Sequence, residues 1–391
     1  MPEEQLHCGY YAAGKCRSCS LIETPYRTQL AAKEARCREL LPSAPEAAWL
    51  PAFSGGDRGF RNRAKLVVGG VGGRAGGVTL GILGPSGRSV DLRECAIQAP
   101  EIAAIIPVLA DFIERTGLEP YSVPERRGEL KFVHVTLAPD GVFMLRFVTR
   151  SERGLAVLRS QLAELRRLVP QAAVISVNLL PEHKAVLEGE REVLLHGSTL
   201  AMRLDDVTLH LRPQSFFQTN TAVARELYRQ VASWVAAADP VSVWDLYCGV
   251  GGFALHCAAA FEASSRPSDR EVLGVEISGA AVDSARRSAR EAGLAAHFLA
   301  ADATEFALAA VPGELPELVI VNPPRRGIGE ALASFLEGSG VPRVVYSSCN
   351  PVSLAKDLAL MSGYAVREAR VFDMFPHTAH LEVAVLLERV G

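Results

Sequence analysis

Cys349 ends an apolar run, VPRVVYSSC (341–349), and is followed at once by Asn350 and Pro351. A cysteine inside a core is a small hydrophobe. One at the end of a buried strand, just before a chain-breaking Asn-Pro, is instead delivered to the strand's edge. That placement predicts a nucleophile facing a cleft. Covalent addition by a thiol needs a group nearby to move protons. The segment FDMFPHTAHLE (372–382) offers Asp373, His377, His380 and Glu382, just ahead of the apolar stretch VAVLL. Chemistry alone does not choose among these four.

A ligand site is expected beside the thiol. The run VSVWDLYCGVGGF (241–253) reads as a buried strand, a glycine turn and the start of a helix. Gly249, Gly251 and Gly252 permit a tight turn and close approach of backbone to a ligand. Glu276 ends the next strand, VLGVEIS, where a carboxylate can accept hydrogen bonds from both hydroxyls of a ribose. Asp302 follows the third strand and is expected to face an adenine. Asn322, in VNPPRR, ends the fourth. It can donate and accept but cannot act as a base. Arg325 and Arg326 are placed to meet phosphate.

Cysteines also gather near the N-terminus. Cys8, Cys16 and Cys19 follow a C-x7-C-x2-C spacing, and Cys95 lies in a second turn-like segment, RECAI. Four thiolates suit either zinc or an iron–sulfur cluster, and spacing does not decide which. Cys37, Cys248 and Cys257 have no second thiol at ligand spacing and read as packing.

These groups need elements to hold them. The sequence predicts a helix over 28–41, then short strands with glycine turns (KLVVGG, GVTLGIL, SVDL) and a helix over 101–116. KFVHVTL and VFMLRFV should pair around Pro139-Asp140-Gly141. A single amphipathic helix is expected over 153–168, and AVISVNLL, EVLLHG and VTLHLRP continue the strands. Beyond about residue 220, helices alternate with buried apolar strands, the pattern of a doubly wound, mostly parallel α/β sheet. The expected division is a cysteine head over 1–50 (with Cys95), a mixed α+β domain over 51–205, and a ligand-binding α/β domain over 206–391.

The chain has 391 residues, 49% of them hydrophobic and 22% charged, which suits several cores rather than disorder. A net charge of -3 argues against non-specific coating of nucleic acid. A local basic patch can still steer a polyanion, and Arg58, Arg61, Arg63, Lys65 and Arg74 form one. The N-terminus lacks the features of a secretory signal, and no apolar run is long enough to span a membrane. A cytoplasmic monomer is the expectation.

The sequence resembles the RNA uracil-5-methyltransferases. SFFQTN (215–220), DLYCGVGGF (245–253), NPPRRG (322–327), YSSCNP (346–351) and DMFPHTAHLE (373–382) carry the likeness, which runs through most of the chain. It implies a class I (Rossmann-like) methyltransferase domain behind a strand-rich domain that carries a four-cysteine metal cluster. It implies Cys349 as nucleophile and Glu382 as base. It also implies S-adenosylmethionine contacts from Gln218, Tyr247, Glu276 and Asn322, and stacking of the target base on Phe216. Some members carry Asp where this chain has Asn322, which weakens any charged role there. The absence of cysteine from NPPRR separates the chain from RNA cytosine-5 enzymes.

By the same resemblance, Cys8, Cys16, Cys19 and Cys95 would ligate a [4Fe-4S] cluster. The cysteine set, and a start so near Cys8 that no extra β-barrel domain precedes it, resemble the compact 23S ribosomal-RNA members. The implied activity is methyl transfer to C5 of a 23S rRNA uridine. The alternatives are the same chemistry on a transfer-RNA uridine, or a catalytically silent RNA-binding protein of ribosome assembly. Cys349 and Glu382 together argue against silence.

Overall fold

The computed structural model describes residues 5–390, apart from 71–76, 85–86, 88, 185, 263–269 and 312. Arg74 of the basic patch lies outside the described residues.

The head holds one short helix, α1 (Gly9–Ala12), and one long one, α2 (Tyr26–Leu40). The chain then runs beside a late strand of the other end of the protein. Leu50 N–H donates to Ala369 at 2.8 Å and Phe53 N–H to Val371 at 2.8 Å.

The first sheet contains β1 (Arg63–Gly70), β2 (Val78–Leu83), β3 (Ser89–Asp91), β4 (Leu130–Leu137), β5 (Phe143–Thr149), β6 (Ala172–Leu179) and β7 (Arg191–His196). Their order is β3-β2-β1-β4-β5-β6-β7, antiparallel except for the β5–β6 pair. Helix α3 (Pro100–Thr116) covers one face with Ile102, Ile106, Leu109 and Ile113. The helix expected over 153–168 is two helices, α4 (Glu152–Ser160) and α5 (Leu162–Leu168). Gln161 leaves helical geometry between them, with ψ near 6°.

VTLHLRP does not extend that sheet. It forms β9 (Val207–Leu211), which among the described residues pairs only with β8 (Leu200–Leu204). Leu200, Met202, Leu209 and Leu211 are buried among residues of the C-terminal sheet and its helices.

The C-terminal sheet contains β10 (Ser242–Leu246), β11 (Glu271–Glu276), β12 (Ala296–Ala300), β13 (Leu318–Val321), β14 (Arg343–Ser348), β15 (Tyr364–Phe372) and β16 (Glu382–Arg389). Its order is β12-β11-β10-β13-β14-β16-β15. The first five strands are parallel, and β16 inserts antiparallel between β14 and β15. Helices α6 (Thr221–Ala238), α7 (Gly252–Glu262) and α8 (Gly279–Ala292) bury one face. Helices α9 (Ala303–Leu308), α10 (Gly329–Ser339) and α11 (Pro351–Leu358) bury the other, joined by Cys37 of the head helix and Leu41 just after it. This is the class I methyltransferase sheet. Strand order reverses beside β10, so the carboxyl ends of β10 and β13 open the crevice where ligands bind.

Candidate active site

The loop after β10 is shaped for close approach. Tyr247 has φ +65°, Gly249 +56° and Gly251 +86°. A positive φ costs glycine little, whereas it strains Tyr247, which is held by a 3.0 Å hydrogen bond between its hydroxyl and Thr304. A Cβ on Gly252 would lie 2.6 Å from the Tyr228 ring, so the helix can begin there only as glycine. Asp245 is fully buried beneath the turn and accepts the Ala254 N–H at 2.9 Å, fixing the first turn of α7. Burial raises its carboxyl to about 7.

Around this turn lies a pocket of about 690 Å³, a ligand-sized cavity. Gln218, Tyr247, Glu276, Asp302 and Asn322 all line it, as do Phe216, Cys349 and Glu382. Cys349, Glu382, Gln218, Tyr247, Glu276 and Asn322 therefore reach one cavity, whereas Asp373 and His377 are not among the residues that line it. Glu276 accepts the Gly249 N–H at 3.1 Å and the Ser278 N–H at 2.9 Å. Asp302 caps α9, accepting from the Thr304 and Glu305 N–H groups at 2.9 Å each. Phe216 and Ile277 are 74% and 72% exposed, which is unusual for large apolar side chains and marks two faces left open to a flat ligand.

Strand register brings the thiol to the carboxylate. The last described pair between β14 and β16 is Ser348 opposite Val383, so the next residues along the two antiparallel strands are Cys349 and Glu382. Directly opposed residues share a face of a sheet. Glu382 is buried, and one of its oxygens accepts from Ser347 Oγ at 2.6 Å and from Asn322 Nδ2 at 2.9 Å. Burial raises its carboxyl to about 7, and those two donors oppose the rise. The Cys349 thiol is also raised, first by burial and then by Glu382, while Arg325 opposes both.

The other three candidates for the base have different surroundings. Asp373 is fully buried and bound by Lys33 Nζ at 2.6 Å and by Tyr26 O–H at 2.7 Å. His377, at φ +63°, is 1% exposed, and its backbone N–H donates to Gln29 at 2.9 Å. Both belong to a latch between α2 and the loop before β16. His380 lines the pocket, and burial lowers its pKa. The latch and Ser347 escaped sequence reading. Ser347 could have been found, because it lies two residues before Cys349 on the same face of a strand.

In the head, burial pushes the Cys19 thiol up to about 12, with Cys95, Cys16 and Cys8 adding to the rise. The four thiols thus lie within electrostatic reach of one another. Among the described residues, however, no three Cys, His, Asp or Glu side chains stand at metal-binding geometry. Cys37, Cys248 and Cys257 are buried.

Comparisons with known proteins agree with this arrangement. Residues 315–390 match a family described as tRNA (Uracil-5-)-methyltransferase, and residues 243–316 match a general methyltransferase domain. The chain is 46% identical over 387 residues to the 23S rRNA (uracil(747)-C(5))-methyltransferase RlmC of Pectobacterium atrosepticum, covering 98% of this chain and 100% of that one. It is 46% identical over 389 residues to the same-named protein of Halothiobacillus neapolitanus, again over 98% of this chain and 100% of the relative. Among solved structures, the tRNA (uracil-54, C5)-methyltransferase of Pyrococcus abyssi, in complex with S-adenosyl-L-homocysteine, superposes with a TM-score of 0.76 at 26% identity. It covers 94% of this chain and 85% of that one.

Proposed function

The chain belongs to the RNA (uracil-5-)-methyltransferase family, and on that premise we propose that it methylates C5 of a uridine in 23S ribosomal RNA through a covalent adduct at Cys349. The observation that carries this reading is the convergence of Cys349 and Glu382 in the pocket that also holds Glu276 and Asn322. Relatives at 46% identity over nearly the whole chain carry the corresponding activity in their names. The substrate places the enzyme in the cytoplasm, where ribosomal RNA is found. Among the described residues no helix is long and apolar enough to cross a membrane.

S-adenosylmethionine, when bound, supplies an electrophilic methyl group. Gln218, Tyr247, Glu276 and Asn322 are the residues proposed to hold it. Uracil C5 is too weak a nucleophile to take that methyl unaided. The Cys349 thiolate adds to C6, and the electron pair moves into the C5–C4–O4 unit as an enolate. C5 then attacks the methyl carbon, whose bond to sulfur breaks. Glu382 removes the C5 proton, and the C6–sulfur bond breaks to restore the ring and the thiolate. Phe216 offers a ring on which the extruded base can stack.

Labelled S-adenosylmethionine with undermethylated total RNA tests the reading. Label in 5-methyluridine of 23S rRNA supports it. Label confined to transfer RNA replaces the substrate, and absence of label removes the activity. Cys349→Ala should abolish transfer and form no adduct with 5-fluorouridine RNA. Glu382→Gln should transfer the methyl group but trap the RNA on the protein.

We also propose a [4Fe-4S] cluster on Cys8, Cys16, Cys19 and Cys95. The electrostatic proximity of the four thiols supports a shared metal site, and the family resemblance favours iron and sulfide over zinc. No step of the reaction passes through it. Iron and sulfide analysis of anaerobically purified protein tests it: stoichiometric iron with sulfide supports the cluster, whereas zinc alone replaces it.

A further inference from the structure

The first sheet has one face buried against α3, and its other face carries charge. Side chains alternate along a strand, so β1 turns Leu66 and Val68 into the core and Arg63 and Lys65 the other way. Register then lines up two rows across three strands. Lys65 stands opposite His134, and His134 opposite Arg146. Arg63 stands opposite Thr136, and Thr136 opposite Met144. These six side chains form the floor of a second pocket, of about 180 Å³, walled by Glu188 and Pro213–Phe216. Phe216 borders this pocket and the larger one that contains Cys349.

The second pocket is built for an anion. The acid facing Arg63 and Lys65 is Glu188, which is bound to Arg146, as is Glu192. Among the described residues no carboxylate forms an ion pair with Arg63 or Lys65. Arg63 is oriented by Thr136 Oγ1 at 3.0 Å and by the Ser215 carbonyl at 3.1 Å. His134 is 5% exposed, and its Nε2 is buried without a hydrogen-bond partner. Burial and the neighbouring Arg146, Lys65 and Arg63 push the ring down to about 2, so it is neutral and can donate N–H to an anion without adding charge. An oriented guanidinium, an ammonium and an unpaired imidazole together match the tetrahedral oxygens of a phosphodiester.

We propose that this pocket binds the RNA backbone phosphate next to the target uridine, so that Arg63, Lys65 and His134 hold the strand while its base stacks on Phe216 and enters the catalytic pocket. The proposal rests on the RNA reading given above. It adds a binding site and a register: the neighbouring phosphate, fixed on the sheet, sets which base reaches Cys349.

Lys65 is exposed, so Lys65→Met leaves the fold intact while removing one charge. The probe is a 23S rRNA hairpin containing the methylated uridine, intact or with a single neutral methylphosphonate linkage at each position near that uridine. Lys65→Met should weaken binding about tenfold and lower the slope of log Kd against log salt by about 0.7, the value for one single-strand phosphate contact. One neutral linkage beside the uridine should cost the wild type a similar factor and cost Lys65→Met almost nothing more. An unchanged salt slope, or losses that simply multiply at every linkage, would overturn the site. Methyl transfer by the wild type is read in parallel. If it labels no uridine in the hairpin, the functional reading fails, and the binding arm still decides the phosphate site.

Discussion

Ser347 Oγ donates a 2.6 Å hydrogen bond to the carboxylate of Glu382, inside the sheet and on the face that carries Cys349. This bond and the one from Asn322 favour the ionised carboxylate, while burial opposes it and sets the group to about 7. The thiol proposed as nucleophile and the carboxylate proposed as base are thus held by one pair of antiparallel strands, with that carboxylate poised near neutrality.

Glu382 must be ionised to take a proton, so breakdown of the adduct should speed up as pH rises through about 7. Ser347→Ala removes a bond to the charged form, which moves that midpoint upward by about one unit. Ser347→Thr should restore it. Stopped-flow measurement of adduct decay across pH checks this, and an unmoved profile would show that Ser347 only packs.

Stability should carry the same signature. Glu382 has an ordinary value of 4.5 and a folded value of about 7, so the folded chain binds this proton more tightly than the unfolded chain. Its contribution to stability is complete below about 4.5 and is lost as pH rises through 7. Glu382→Gln cannot titrate. It should gain on the wild type by up to ~3 kcal/mol between pH 5 and pH 8. Urea unfolding at both values measures the difference.

Phe216 is 74% exposed, so truncating it should leave the fold alone. Phe216→Ala should keep its Tm and its affinity for S-adenosylmethionine. It should lose ~1–3 kcal/mol of RNA affinity, the worth of one base stacked on an aromatic ring. A large fall in Tm would instead make the ring a packing residue.

The latch joins Lys33, 4% exposed, to fully buried Asp373. Removing one partner of a buried ion pair strands the other, at a cost of about 3–5 kcal/mol. Lys33→Met should therefore lower Tm sharply, and Lys33→Met combined with Asp373→Asn should recover part of the loss. Calorimetry of the two single variants and the double variant gives the coupling. Additive losses would mean that the two side chains do not interact.

The sequence by itself determined the parallel α/β sheet, the glycine turn after β10 and the strand ends that bear Glu276, Asn322 and Cys349. These are local matters: apolar runs of strand length, and glycines at positions where φ is positive. It also showed a basic run at Arg61, Arg63 and Lys65. Chemistry read from the sequence left four candidate bases open and the resemblance implied Glu382; only the tertiary structure shows which of the four line the pocket, His380 and Glu382. Asp373 and His377 are taken up by α2, more than 300 residues earlier in the chain. Glu382 comes beside the thiol only because β16 inserts antiparallel next to β14 in a register no local pattern encodes. The break at Gln161 and the transfer of β8 and β9 to the C-terminal core were likewise settled by packing. Periodicity says that a segment has a buried face, but not which partner buries it.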